Sequence, residues 1–351
     1  MLTGLDWYRR HWGQVCDILG LGPRETAHDI LDTGTPARLY RYAASAARGP
    51  VVVLVPAPIK SPDIWDLDPE ISVVRRHLEQ GSRVCLVAWP RTFSDADAFG
   101  LGDYVAWMLG ACIDTVCRDA GEERVFINAH SIGGTLAALY SARYPDRVKG
   151  LVVLASPLHF GPDIGALGRF VSRFPDTDAL IGGNAIPGSL LNLLSATASP
   201  QAFIVQRTND WLASLTDAGQ LRRHLIVERW TLDETPMPRQ LFLDLVERLY
   251  RRDGFARGEV RIDGQRVTPA DVRCPVMCVV SRHCDITPPE AVLPVLEAFG
   301  TADREVLWYT DEPGVSLQHV GVLAGVNAHR HLWPHLLTWM RNRQASATAH
   351  Q

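Results

Sequence analysis

Val125-Phe126-Ile127-Asn128-Ala129-His130-Ser131-Ile132-Gly133-Gly134 is the stretch that decides the fold. An apolar run leads into a serine, and two glycines follow before an Ala/Leu-rich segment. That layout reads as strand, sharp turn and helix, with the serine at the apex of a nucleophile elbow. Such a turn strains the backbone at its apex, so the positions two before and two after must be small. Ala129 and Gly133 meet that demand. The reading names a chemistry, acyl transfer through a covalent ester on Ser131, as well as a local structure.

The flanking sequence supports a sheet. Val51-Val52-Val53-Leu54-Val55 is a continuous β-branched run, the mark of a buried parallel strand. It stops at Pro56-Ala57-Pro58, which cannot continue a ladder. A helix over 71–80, a strand over 83–88, a helix over 103–120, the elbow strand and helix, and a strand over 150–155 follow in alternation. This pattern predicts a doubly wound parallel sheet. Residues 160–265 lack strong strand runs and read as an inserted helical cap. Strands resume at 275–280 and 305–309, and a last helix is expected near 331–342. The expected organisation is an N-terminal helical extension (1–35), a core (36–159 and 266–342), the cap (160–265) and a disordered polar tail (343–351). The expected fold class is α/β, a mostly parallel doubly wound sheet with an inserted helical cap, as the elbow predicts for an α/β-hydrolase fold.

An elbow serine needs a histidine base and a carboxylate to orient it, and in this architecture they follow in the order Ser, Asp, His. Asp285 lies just past the strand at 275–280, in Ser281-Arg282-His283-Cys284-Asp285-Ile286-Thr287-Pro288, and is the candidate acid. An aspartate there would also suit a turn or a helix cap. His319 lies in a loop past the last strand and is the candidate base, with His283 as the alternative. His130 is expected to pack beneath the elbow, and His329, His331 and His335 to lie on the surface. The oxyanion hole is expected to combine the Ile132 amide with that of Ala57 or Ile59, because Pro56 and Pro58 have no N–H.

Composition bounds the alternatives. The chain has 351 residues, 46% of them hydrophobic, enough to bury a large core. A formal net charge of −4 argues against a broad nucleic-acid footprint. No apolar stretch reaches the ~18–20 residues a membrane span needs, and the N-terminus has no signal-peptide apolar core. A cytoplasmic protein is therefore expected. The seven cysteines are scattered without a zinc spacing and read as reduced core thiols. No metal or other cofactor is expected.

A more specific signal lies outside the elbow. Val55-Pro56-Ala57-Pro58-Ile59, Asp66-Leu67-Asp68-Pro69-Glu70-Ile71, Gly102-Asp103-Tyr104-Val105, Ile186-Pro187-Gly188-Ser189-Leu190-Leu191-Asn192-Leu193 and His319-Val320-Gly321-Val322-Leu323-Ala324-Gly325 resemble the polyhydroxyalkanoate synthases over roughly 35–340. The resemblance implies a nucleophile–Asp–His triad under a helical cap, loaded from coenzyme A thioesters. By position that triad falls on Ser131, Asp285 and His319. Homodimerisation is what the family implies. The synthases keep a cysteine at the elbow, where this chain has Ser131, and usually a histidine after the acid, where it has Ile286.

The serine changes the expected chemistry. A thioester on cysteine passes its acyl group to another thiol at little cost. An oxygen ester lies lower, so Ser131 favours water, an alcohol or an amine as acceptor. The expected function is acyl hydrolysis or transfer from a thioester carried by coenzyme A or an acyl carrier protein, or from a related ester. Chain release in a biosynthetic pathway would suit it. The alternatives are a polyester synthase or depolymerase, hydrolytic C–C cleavage of a β-dicarbonyl, and a non-catalytic binding protein on the same fold.

Overall fold

In the computed structural model, the described residues are 2–42, 48–94, 98–173 and 183–348. Residues 349–351 of the expected tail lie outside them. Helix α1 (Leu2–Ile18) is followed by strands β1 (His28–Asp32), β2 (Arg38–Tyr42) and β3 (Val51–Val55). Then come α2 (Val73–Glu79), β4 (Arg83–Ala88), α3 (Gly110–Ala120), β5 (Val125–His130), α4 (Ile132–Arg143) and β6 (Val148–Leu154). The sheet resumes with β11 (Val276–Ser281) and β12 (Arg304–Tyr309), and the chain closes on α12 (Trp333–Thr348). The eight strands lie in the order β1-β2-β4-β3-β5-β6-β11-β12. β2 runs antiparallel to β1 and β4, and every pair from β4 onward is parallel.

The apolar runs explain the layering. In a strand, successive side chains face opposite sides. Val53, Val55, Ile127, Ala129, Leu151 and Val153 enter one core with α3 and α4. Val52, Leu54, Phe126, Val152 and Leu154 enter the other with α2 and α12. Both faces are covered, so the central strands are mostly apolar, and a buried exception such as Asn128 is met by a partner, His77 Nε2 at 3.1 Å. β12 is an edge strand, and its exposed Trp308 carries the Arg282 guanidinium 4.2 Å above its ring.

Between β6 and β11 lie helices α5 (Gly165–Ser172), α6 (Gly188–Ala198), α7 (Arg207–Ser214), α8 (Ala218–Thr231) and α9 (Arg239–Asp244). They are accompanied by a two-residue pair, β7 (Ala185–Ile186) with β8 (Met237–Pro238), and a small hairpin, β9 (Arg261–Ile262) with β10 (Gln265–Arg266). Short helices α10 (Leu293–Glu297) and α11 (Gly321–Ala324) belong to the returning core. Leu167 of α5, Leu191 of α6 and Trp230 of α8 line one cavity with Pro56, Ala57 and Ser131, which follow the carboxyl ends of β3 and β5, where an open α/β sheet places its site.

Two boundaries differ from the sequence reading. The sheet begins before residue 36, because His28–Asp32 already pairs with β2. That strand is a polar edge with most residues half-buried or exposed, so it carries no apolar run to betray it. At the other end, α12 continues through residues expected to be an irregular tail. Arg343 holds it: the guanidinium packs 4.1 Å from the Trp339 ring, and its Nε donates to Asp303 at 3.0 Å. Among the described residues, no helix is long and apolar enough to cross a membrane.

Candidate active site

The elbow has the geometry its sequence demands. Ser131 sits at φ 56°, ψ −135°, a region a non-glycine residue occupies only under constraint. Its N–H donates to the Leu154 carbonyl at 3.0 Å, and its own carbonyl accepts from Gly134 at 2.8 Å. A Cβ on Gly133 would lie 2.5 Å from the Val55 carbonyl oxygen and 2.6 Å from that of Pro56. One on Gly134 would lie 1.9 Å from Ser156 Oγ. Gly133 lets α4 start directly against the end of β3, and Gly134 lets it pass Ser156 just beyond β6. Backbone atoms cannot yield as a flexible side chain can. Gly133→Ala is therefore expected to destabilise the fold by about 1–3 kcal/mol. A lowered urea midpoint at unchanged m would show it, and an unaltered midpoint would contradict the packing argument.

Ser131 Oγ lies 2.9 Å from His319 Nε2. His319 comes from the turn Gln318–Val320, after β12. Its main chain is pinned to the elbow, since His130 Nε2–H donates to the His319 carbonyl at 3.0 Å. His130 is buried beside the nucleophile, and the two imidazole rings stand 4.8 Å apart. Upstream, the loop is held by the cap. Asp210 of α7 accepts from the amides of Gly314 at 2.9 Å and Ser316 at 2.7 Å, and contacts His224 Nδ1 of α8 at 2.6 Å. Ser316 Oγ donates to Glu228 of α8.

Asp285 is not on the histidine. Its carboxylate faces the cap, where Ser199 Oγ donates to Oδ2 and Arg169 Nη2 lies 3.6 Å from Oδ1. The residue beside it takes the expected place: Cys284 Sγ is 3.3 Å from His319 Nδ1. The expectation of an Asp285–His319 contact is thus corrected. The turn after β11 aims position 284 inward and position 285 outward, and sequence order alone does not distinguish neighbours in a turn. His283, the alternative base, is exposed and sits 3.4 Å from Asp311. His329, expected on the surface, is buried and meets the Leu323 carbonyl at 2.7 Å.

The electrostatics favour neutral imidazoles. Burial, and then the neighbouring His130, hold the His319 pKa well below the ordinary histidine value. Burial takes His130 down to about 4, its bond to the His319 carbonyl opposing only part of that shift. The Cys284 thiol is pushed up to about 11, chiefly by burial. At neutral pH the contact at Nδ1 is therefore with a thiol rather than a thiolate.

Ile132, Ala57 and Ile59 all line a cavity of about 110 Å³ that opens on Ser131. The loop after β3 is fixed by its carbonyls. Trp89 Nε1 donates to Pro56 O at 2.8 Å, Thr235 Oγ1 to Pro58 O at 3.0 Å, and Thr235 N to Ile59 O at 3.2 Å. The walls are mainly apolar, with polar side chains that include Lys60, Asn192, Ser195 and Glu234. Ser61 Oγ, Trp65 Nε1 and Thr287 Oγ1 are buried in the lining and have no hydrogen-bond partner among the described residues. Sequence reading missed these three, which come from two distant loops and carry no motif. It also missed Cys284, visible only as one of several isolated cysteines.

Comparison with known proteins gives the same fold. The family described as alpha/beta hydrolase fold matches residues 51–225. Poly(3-hydroxyalkanoate) polymerase subunit PhaC of Haloferax mediterranei is 25% identical over 365 residues, covering 98% of this chain and 72% of that protein. The subunit of the same name from Allochromatium vinosum is 26% identical, covering 87% of this chain and 85% of its own length. Among solved structures, the monoacylglycerol lipase of Paleococcus ferrophilus superposes with a TM-score of 0.54 at 17% identity, covering 87% of this chain and 99% of that one. Naproxen esterase of Bacillus subtilis gives 0.53 at 15% identity, covering 95% and 96%. At such identities the structural likeness establishes the fold alone.

Proposed function

We propose that this chain, which has an α/β-hydrolase fold and is similar to the polyhydroxyalkanoate synthases, is a serine acyl hydrolase or acyltransferase acting on an acyl thioester or ester. The observation that carries the reading is the 2.9 Å contact between Ser131 Oγ and His319 Nε2 at a strained elbow facing a cavity. Ser131 Oγ attacks the acyl carbonyl as its proton passes to His319 Nε2. The tetrahedral adduct collapses, the C–S or C–O bond breaks, and the leaving thiol or alcohol takes that proton. Water, deprotonated by His319, then releases the acid and restores Ser131.

The oxyanion would be held by the amides of Ile132 and Ala57. The tight approach of Gly133 to Val55 and Pro56 puts the Pro56–Ala57 peptide beside the start of α4, which favours Ala57 over Ile59. A cavity of about 110 Å³ with mainly apolar walls beside Ser131 suits an acyl unit. The unpartnered Ser61, Trp65 and Thr287 atoms favour an acyl group that itself carries oxygen.

Incubation with 3-hydroxybutyryl-CoA tests the reading. Stoichiometric release of thiol and free acid is the expected result, and insoluble polymer would mean a synthase instead. No thiol release, together with no labelling by a fluorophosphonate, would remove the hydrolase reading. The pH profile has a definite sign. Only neutral His319 accepts a proton, so kcat/KM is lost as pH falls through its lowered pKa. The acid limb is expected below the ordinary histidine value, and a limb at or above it would contradict the burial of the base.

A further inference from the structure

We propose that Cys284 is the positioning residue of this site, its sulfur standing where a carboxylate would orient the imidazole, while Asp285 serves the cap. The inference rests on the Ser131–His319 reading above. It begins from the two contacts of one ring: Nε2 at 2.9 Å from Ser131 Oγ and Nδ1 at 3.3 Å from Cys284 Sγ.

For Nε2 to take the serine proton, the ring hydrogen must lie on Nδ1 and point at the sulfur. Sγ is then an acceptor, and it also accepts from the Thr287 amide at 3.4 Å. That second donor biases the sulfur toward the acceptor role. The bias is incomplete, because a thiol can turn its S–H toward Nδ1. In that state the ring hydrogen sits on Nε2, and the base is idle. A carboxylate permits only the productive tautomer and stabilises the imidazolium that forms. Cys284 therefore gives a working base with a slower proton step than a complete triad.

Asp285 is committed elsewhere. Ser199, just beyond α6, donates to its side chain, Arg169 of α5 stands at 3.6 Å, and the Ala166 amide donates to its carbonyl at 3.3 Å. All three partners lie in the cap. The titratable groups around the His319–Cys284 pair are His130 at the end of β5, Asp285 in the same turn, and Asp311 from the loop after β12.

The experiment compares wild type with Cys284→Asp, Cys284→Ser, Cys284→Ala and Asp285→Asn by two readouts. One is the ring titration of His319 by NMR, which needs no turnover. The other is the pH profile of ester hydrolysis. Cys284→Asp is expected to raise the His319 pKa by about one unit or more, and to move the acid limb of kcat/KM upward with it. It is also expected to raise kcat about tenfold or more, since a correctly held carboxylate is worth up to about 10⁴ in kcat. Cys284→Ala is expected to lower kcat, and Cys284→Ser to restore part of the loss. Asp285→Asn should act on KM through the cap and leave the acid limb in place. The proposal is overturned if Asp285→Asn shifts the His319 titration and Cys284→Asp does not. If the Cys284 variants shift the titration while no variant hydrolyses ester or takes a fluorophosphonate, the positioning contact stands and the hydrolase reading fails. If Cys284→Asp does not fold, an unchanged tautomer population in the Ser and Ala variants overturns the proposal on its own.

Discussion

Ser131→Ala is expected to abolish fluorophosphonate labelling and to lower kcat by about 10³-fold. The size follows from what the site lacks. Removing the serine from a complete triad costs about 10⁶ in kcat, and a misdirected imidazole alone costs about 10⁴. A base held by a thiol starts part of the way down that scale, so there is less left to lose. The residue that remains is the oxyanion hole and substrate binding, which the substitution leaves intact. Pre-steady-state measurement checks the prediction directly. Wild type should show a burst of released thiol equal to the enzyme concentration, and the variant should show none. A variant that keeps a full burst would mean that Ser131 is not the nucleophile.

Asp210→Ala carries the largest expected cost to stability. One buried carboxylate satisfies the Gly314 and Ser316 amides and contacts His224. Removing it leaves two amides and an imidazole nitrogen in the interior with nothing to replace the lost acceptor. Breaking such a buried pair costs about 3–5 kcal/mol, a large fraction of an ordinary domain's stability. Because the loop leads straight to His319, kcat should fall as well, even in the folded fraction at low temperature. Asp210→Asn keeps one acceptor oxygen and should cost less on both counts. Urea unfolding and kcat measured on the same preparations test this. A stable variant with a normal rate would show that the cap does not support the loop.

Much of the architecture was legible because it is written in runs. β3, β5, β6 and β11 are buried on both faces, so they are written mostly in apolar residues, and the serine flanked by small residues fixed the elbow. β1 was illegible for the complementary reason: an edge strand with polar side chains has no pattern that a loop lacks. The continuation of α12 depends on Arg343 meeting Trp339 and Asp303, contacts that no local window contains. At the site, Ser131 and His319 were legible from order along the chain. The partner of Nδ1 was not, because Cys284 and Asp285 are adjacent and only the aim of the turn separates them. The three unpartnered groups in the cavity wall come from separate loops and are collected only by folding.

The loop before His319 is held by two different bodies. At Gly314 and Ser316 it belongs to the cap, through Asp210. At His319 it belongs to the sheet, through the His130 side chain. The cap anchorage ends at the buried Ser316, at φ 59°, and only Leu317 and Gln318 separate it from the base. Those two residues are the whole link between the part of the loop tied to the cap and the part tied to the sheet. The base itself is held from two sides, by His130 at its carbonyl and by Cys284 at Nδ1. The seating of the cap and the readiness of the base are thereby coupled, so a change at α7 is felt in the rate as well as in access to the cavity.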